Sequence, residues 1–318
     1  MGGIKNSPNT PREPPIVPTA SIVLDHPNQI SDVTEWDVDF HQLTPGLNET
    51  KLKFQASGDC MVYGISMSKR VHQTGNPPKG WLTFGIADAA TLNTWQSTPA
   101  QQNDLLHFSS ADGFESLSRA GFNAAVFSFT ENSFRSLAQS IGMDLPDSFD
   151  TSFKFQIANK MNRLTDLYVK LNSLLSSPSV CWTKDLEQEI ALNVLDLIKD
   201  DVVHSDKSSL SSRQKAMYRA IDYMKENYET ALPIADLCKE VGASWRTLDR
   251  AFKENFGIGP KAYFNQMRLN WVRYTLLKEN ECDTIFEAAN HYDFWHMGQF
   301  AKDYKRLFGE LPSETMKH

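Results

Sequence analysis

The chain has no C-x-x-C pair. Its four cysteines, Cys60, Cys181, Cys238 and Cys282, lie far apart in 318 residues. That spacing argues against a structural zinc site or a disulfide framework and fits reduced thiols in a cytoplasm. No apolar run approaches the roughly 20 residues that span a bilayer, so no membrane partner is expected. His41, His72 and His107 are dispersed and no H-x-H occurs, which leaves no pattern for a metal and none for metal-dependent catalysis. A nucleophile elbow, a phosphate-binding glycine loop and a catalytic dyad are also missing, so neither an enzyme nor a cofactor is expected. Positive charge is short as well: 32 Lys and Arg stand against 39 Asp and Glu, net −7. Alone, that balance disfavours a nucleic-acid binder, but it is unevenly spread. Residues 213–318 carry 16 basic and 15 acidic side chains, whereas residues 1–212 carry 16 and 24. An average near zero can hide a basic face, so placement decides.

What is present reads as an α+β multidomain chain of ordinary globular composition, with 41% hydrophobic and 22% charged residues. Residues 1–20 are polar and proline-rich and predict a disordered arm rather than a secretory signal. Residues 21–150 hold short strand-like runs, "KLKFQ", "CMVYGISM", "WLTFGIA", "LLHFSS" and "AAVFSFT", separated by turns such as "TGNPPKG" and "SADG". They predict a compact antiparallel sandwich or barrel. From Asp150 the apolar period becomes three to four, predicting two amphipathic helices over 151–203. Leu186, Ile190, Val194 and Leu197 form one stripe. Such a stripe packs on the β domain or pairs two chains, and the same four residues are the candidates for dimerisation. "HSDKSSLSS", 204–212, reads as a linker.

Beyond it, residues 213–318 read as nearly all helix, and they repeat. "KENFGIGP" (253–260) is echoed 52 positions later by "KRLFGELP" (305–312). The offset also places Leu237 on Ala289, Leu248 on Phe300, Arg250 on Lys302 and Phe252 on Tyr304. Leu248, Phe252 and Phe256 recur by four, as a core-facing helix requires. Each unit is a short helix, a tight turn and a longer helix, with one long helix from Pro260 to about Lys278 between the units. That is a helix-turn-helix used twice. The second helix of such a unit enters the major groove of double-stranded DNA. In the first unit its outward face carries Arg246, Asp249, Arg250 and Lys253, beginning at Ser244 and Thr247. Arginine grips guanine O6 and N7 with two hydrogen bonds; Asp249 accepts from cytosine N4 or orients an arginine. The second unit is poorer: His296, Gly298, Gln299, Ala301, Lys302 and Lys305 line the matching face. The expectation is that the first unit reads bases while the second grips phosphate and senses shape.

The stretches "LCKEVGASWRTLDRAFKENFGIGPKAYFNQMRLNWVRYTLL" and "FWHMGQFAKDYKRLFGELPSET" resemble the DNA-binding domain of the AraC/XylS family of bacterial transcription regulators. The resemblance covers about a third of the chain. It implies two helix-turn-helix units in successive major grooves, with reader positions at Arg246, Asp249 and Arg250 and at Gly298, Ala301 and Lys302. It also implies a homodimer, an activator that touches RNA polymerase, and an N-terminal cupin-like β domain for an unidentified small-molecule effector. "WDVDFHQLTPG" and "FGIGPKAYFNQMRLNWVR" are more loosely similar to the branch of ethanolamine-operon regulators. Arg70, His72, Trp81 and Phe84 are the candidate effector-binding residues. Asp293 departs from the pattern, standing where the family usually has glycine between the second unit's helices. The alternative from another class is a ligand-binding or protein-interaction module with vestigial DNA binding that sequesters a partner.

Overall fold

The computed structural model describes residues 20–146, 149–157, 159–177, 182–199, 211–230, 232–278 and 281–316. The arm expected over 1–20 and the linker expected over 204–212 lie outside them, except for Ala20, Ser211 and Ser212.

Alternation along the strands builds the N-terminal half. The strands are β1 (Ala20–Leu24), β2 (Asp37–Gln42), β3 (Thr50–Ala56), β4 (Cys60–Met67), β5 (Val71–Asn76), β6 (Trp81–Ala87), β7 (Leu92–Trp95), β8 (Thr98–Pro99), β9 (Asp104–Phe108), β10 (Phe114–Ser118), β11 (Phe122–Thr130) and β12 (Phe153–Gln156). They form a seven-stranded sheet, β1-β3-β4-β11-β6-β9-β12, and a five-stranded sheet, β2-β5-β10-β7-β8. On β11, Phe122, Ala124 and Val126 face the core between the sheets, while Ala125, Phe127 and Phe129 face a second core. Period two means that one strand serves two layers. The second core is closed by α2 (Glu131–Ser140), α3 (Met161–Ser176) and α4 (Lys184–Ile198).

Two expectations change here. The helix expected from residue 151 starts only at Met161, because Phe153–Gln156 is the edge strand β12, antiparallel to β9. Phe153 and Phe155 are buried in the outer core, while Lys154 donates to Asp104 at 2.9 Å. The stripe assigned to chain pairing is consumed within the chain. Ile190, Val194 and Leu197 are buried in the outer core, and Leu186 packs against it.

The C-terminal half comprises α5 (Ser212–Glu226), α6 (Ile234–Val241), α7 (Trp245–Phe256), α8 (Pro260–Leu277), α9 (Ile285–His291), α10 (Met297–Phe308) and the short α11 (Pro312–Thr315), with α1 (Ile30–Val33) lying far upstream in the β domain. The repeat sets its caps. Ser244 accepts from the Thr247 amide, and α7 and α10 stop at Gly257 and Gly309 with φ of 78° and 83°. A residue with a Cβ is disfavoured in that left-handed conformation. α8 belongs to both cores: Tyr263, Phe264 and Met267 pack with α7, and Leu269, Val272 and Leu276 pack with α10. Because one continuous helix supplies both cores, it also sets the spacing of the two units.

The outer face of the five-stranded sheet is not open to solvent. Asp39, His41, His72, Thr74, Glu115 and Leu117 alternate with inward-facing residues and meet the helical half. Gln42 and Asn270 of α8 exchange two hydrogen bonds, 2.9 and 3.1 Å, in the manner of paired strands.

Buried histidines along this contact make the fold acid-sensitive. Burial, reinforced by the Arg273 guanidinium, lowers His26 to about 3, and burial lowers His41 despite Asp39 beside it. Both are neutral in the fold at pH 7, while an unfolded histidine titrates near 6.5. The unfolded chain therefore binds more protons below that pH. Stability is expected to fall between about pH 6.5 and pH 3 as His26 is forced to charge, by up to about 1.4 kcal/mol per pH unit, with His41 acting in the same direction. Melting curves at pH 7.5 and 5.0 check this, and His26→Asn, which keeps an acceptor at a helix start, should flatten the dependence.

Candidate nucleic-acid interface

In the first unit, α6 and α7 meet through Leu237, Val241, Leu248 and Phe252, all fully buried. That packing turns Arg246, Arg250 and Lys253 outward, where all three are exposed. Arg250 Nε donates to Glu254 at 2.8 Å, and Lys253 Nζ donates to Asp249 at 2.8 Å. Asp249 thus pairs with Lys253 rather than with either arginine, and it lies over Gly259, where a Cβ would sit 2.8 Å from its Oδ1. Exposed pairs one turn apart are worth about 0.3–0.5 kcal/mol, so both cations yield readily to a nucleic acid. Ser244 and Thr247 are committed to the helix start.

The second unit repeats the geometry with other chemistry. Phe300 and Tyr304 fill the places of Leu248 and Phe252. His296, Gly298, Gln299, Lys302 and Lys305 are exposed and Ala301 is half-buried. Gln299 donates to Asp303 at 3.1 Å. Asp293 holds φ at 62°, so the carboxylate residue does adopt the left-handed turn. Its Oδ2 accepts from Arg268 of α8 at 3.1 Å, and its Oδ1 accepts from the Trp295 indole at 2.8 Å.

The β domain holds the far ends of both recognition helices. Arg70 donates to the carbonyls of Asn255 (2.9 Å) and Phe256 (3.1 Å), the last of α7. The amide of Gly46 and the Gln42 side chain donate to Leu307 O near the end of α10, at 2.9 and 3.1 Å. Cationic and N–H donors suit a helix C-terminus, where carbonyls lack partners and the dipole is negative. His72 lies beside α8: its Nε2 donates to Glu115 (2.9 Å), which leaves Nδ1 to accept from the Tyr263 hydroxyl (2.7 Å).

These contacts relocate the candidate effector residues. Arg70 and His72 join the two halves, Phe84 is fully buried in the outer core, and Trp81 is half-buried at the start of β6. None lines the cavity of about 60 Å³ between the sheets, which is walled by Trp36, Phe40, Trp95, Phe108 and Phe114. Gln73 and Ser116 are its polar lining, and Gln73 Nε2 is buried with no partner among the described residues. Sequence reading missed Gln73 because a lone glutamine in a strand carries no distinguishing pattern. It missed Tyr263 and Arg268 because each sits in an unbroken helical run. Among the described residues no group of three metal-ligating side chains occurs, and no helix is long and apolar enough to cross a membrane.

Two helix-turn-helix units on one shared helix have the architecture of a double-stranded DNA reader. The profile described as "Helix-turn-helix domain" matches residues 237–318. Over 129 residues the chain is 28% identical to the XylDLEGF operon transcriptional activator 3 of Pseudomonas putida, covering 40% of this chain and 38% of that protein. It is 31% identical over 99 residues to a probable thc operon regulatory protein of Rhodococcus erythropolis, 31% of this chain and 30% of the other. A solved structure of a probable AraC family transcriptional regulator from Rhodopseudomonas palustris is 31% identical, over 32% of this chain and 94% of that one, with a TM-score of 0.31. The chain spans less than half the length of these two curated relatives. The matched C-terminal part is similar to the DNA-binding domain of AraC/XylS-family regulators.

Proposed function

We propose that this regulator is an activator whose DNA binding is controlled by a small molecule held between the sheets of a cupin-like N-terminal domain. The observation that carries the reading is the grip of one β domain on the C-terminal ends of both recognition helices, through Arg70 on α7 and through Gly46 and Gln42 on α10. Adjacent residues of single strands look both ways. On β5, Gln73 faces the cavity and His72 faces Tyr263; on β10, Ser116 faces the cavity and Glu115 accepts from Tyr218. A ligand that moves β5 or β10 therefore moves its contact with α8 or α5, and β5 is continuous with Arg70 and paired with Gln42 of β2, which hold the two reading helices. The names of the Pseudomonas putida relatives support activation, and with it contact to RNA polymerase. Two chains pair through the outward faces of α3 and α4, where Val169 and Leu192 are exposed.

A thermal-shift screen of the full chain against metabolites, with a gel shift on DNA from upstream of its own coding sequence for each hit, tests the reading. Ligands that raise the melting temperature should also change DNA affinity, and that affinity should drop about 10³-fold or more between 50 and 200 mM salt if six or more phosphates are contacted. A module that sequesters a protein partner would give no specific complex.

A further inference from the structure

We infer that Trp295 is the base-discriminating side chain of the second unit, and that it selects thymine by contact with the 5-methyl group in the major groove. The inference rests on the reading of α10 as a groove-entering helix and supplies a base contact that Gly298, without a side chain, cannot.

Trp295 is 65% exposed, a large apolar side chain standing immediately before the helix N-cap His296. A residue in that position ordinarily folds back onto the fourth helical residue, here Phe300. Phe294 occupies that place instead, with ring centroids 5.2 Å apart, and the indole is left outside. It is nevertheless fixed. Its Nε1 donates to Asp293 Oδ1, and Asp293 Oδ2 accepts from Arg268. Arg268 in turn lies over the rings of Phe264 and Phe294, at 4.7 and 4.8 Å. A line of held groups thus runs from the linking helix to the indole. Glycine at position 293 would adopt the same turn but would leave this line without its central carboxylate.

The indole has one hydrogen-bond donor, and Asp293 takes it. Its outward edge is then all C–H and cannot address the acceptors of guanine or the amino groups of adenine and cytosine. The complementary group in a major groove is the thymine methyl. The start of α10 is open at Gly298, where a Cβ would meet no atom within 4 Å. The first unit has Ala243 in the corresponding place and reads through its arginines.

The test uses duplexes enriched by the full wild-type chain from a random library. Each thymidine of the half-site next to the second unit is replaced in turn by deoxyuridine, which deletes the methyl alone. At one or two positions the swap should weaken wild-type binding about fourfold, the worth of one buried carbon. Trp295→Ala should bind the parent duplex at least that much more weakly and lose no more on the swap. Asp293→Gly, which permits the same backbone turn, should blunt the methyl dependence. The inference is overturned if Trp295→Ala keeps wild-type affinity or wild-type methyl dependence, including the case in which it binds normally but activates poorly, which would assign the indole to a protein partner. An enriched duplex with no methyl-sensitive position overturns this inference alone. Failure to enrich any duplex overturns the DNA-binding reading beneath it.

Discussion

Arg246→Ala and Arg250→Ala are each expected to weaken binding to the preferred duplex roughly 10- to 100-fold, with guanine preference lost at one position of one half-site. The figure follows from about 1–3 kcal/mol of discrimination for a two-bond contact between a guanidinium and a guanine. Both side chains leave the exposed side of a helix whose opposite side is locked by Leu248, Phe252 and Phe256, so truncation spares the core. Arg250 must release Glu254 on binding, and that exposed pair costs little to open. Lys302→Ala is the control. Taking one phosphate-binding ammonium from the second unit should weaken all duplexes alike and shallow the salt dependence by about one unit of slope. Competition titrations against single-base variants at fixed salt separate the two behaviours. If Lys302→Ala shifts base preference as strongly as Arg246→Ala, the assignment of Lys302 to phosphate is wrong.

Arg70→Ala is expected to cost about 1–3 kcal/mol of stability and to uncouple cavity occupancy from DNA affinity. Removing the guanidinium leaves two carbonyls at the end of α7 without their donors, and an unmade hydrogen bond at a part-buried group costs that order of energy. Asp39→Ala should act in the same direction from the other end of the contact. Asp39 accepts from Lys225 at 2.8 Å and from the Trp271 indole at 3.0 Å. Burial pushes its pKa up, but His41 and Lys225 more than offset this and hold the carboxyl well below the usual range. Denaturant unfolding reads the stability, and DNA titration with and without a bound metabolite reads the coupling. A stability loss with coupling intact would move the control elsewhere.

The helical half was legible in the sequence because its signals are local. Ser244, Gly257, Pro260 and Gly309 each mark a helix end by their own backbone preference, and a repeat with one offset doubles the signal. The sheets were less legible. Phe153–Gln156 is too short a run to betray its period beside the helix that follows. The outward residues of β2, β5 and β10 alternate polar with apolar, which reads as a solvent face. Their cover, α5 and α8, lies more than 100 residues downstream, so Arg70 and His72 looked free for a ligand when they are the joints between the two halves. Asp293 was visible as a departure from the family pattern, but its partners Arg268 and Trp295 emerge only when the turn is folded.

If α7 and α10 read one duplex together from a common scaffold, their footprints must share a face of the DNA. Selection of the full chain against random duplexes, followed by hydroxyl-radical footprinting of the winners, measures this. Two protected tracts are expected on one face, centred about one helical turn apart, with guanine enriched in the first and thymine in the second. A single tract, two tracts on opposite faces, or no enrichment over the starting pool would contradict the shared reading.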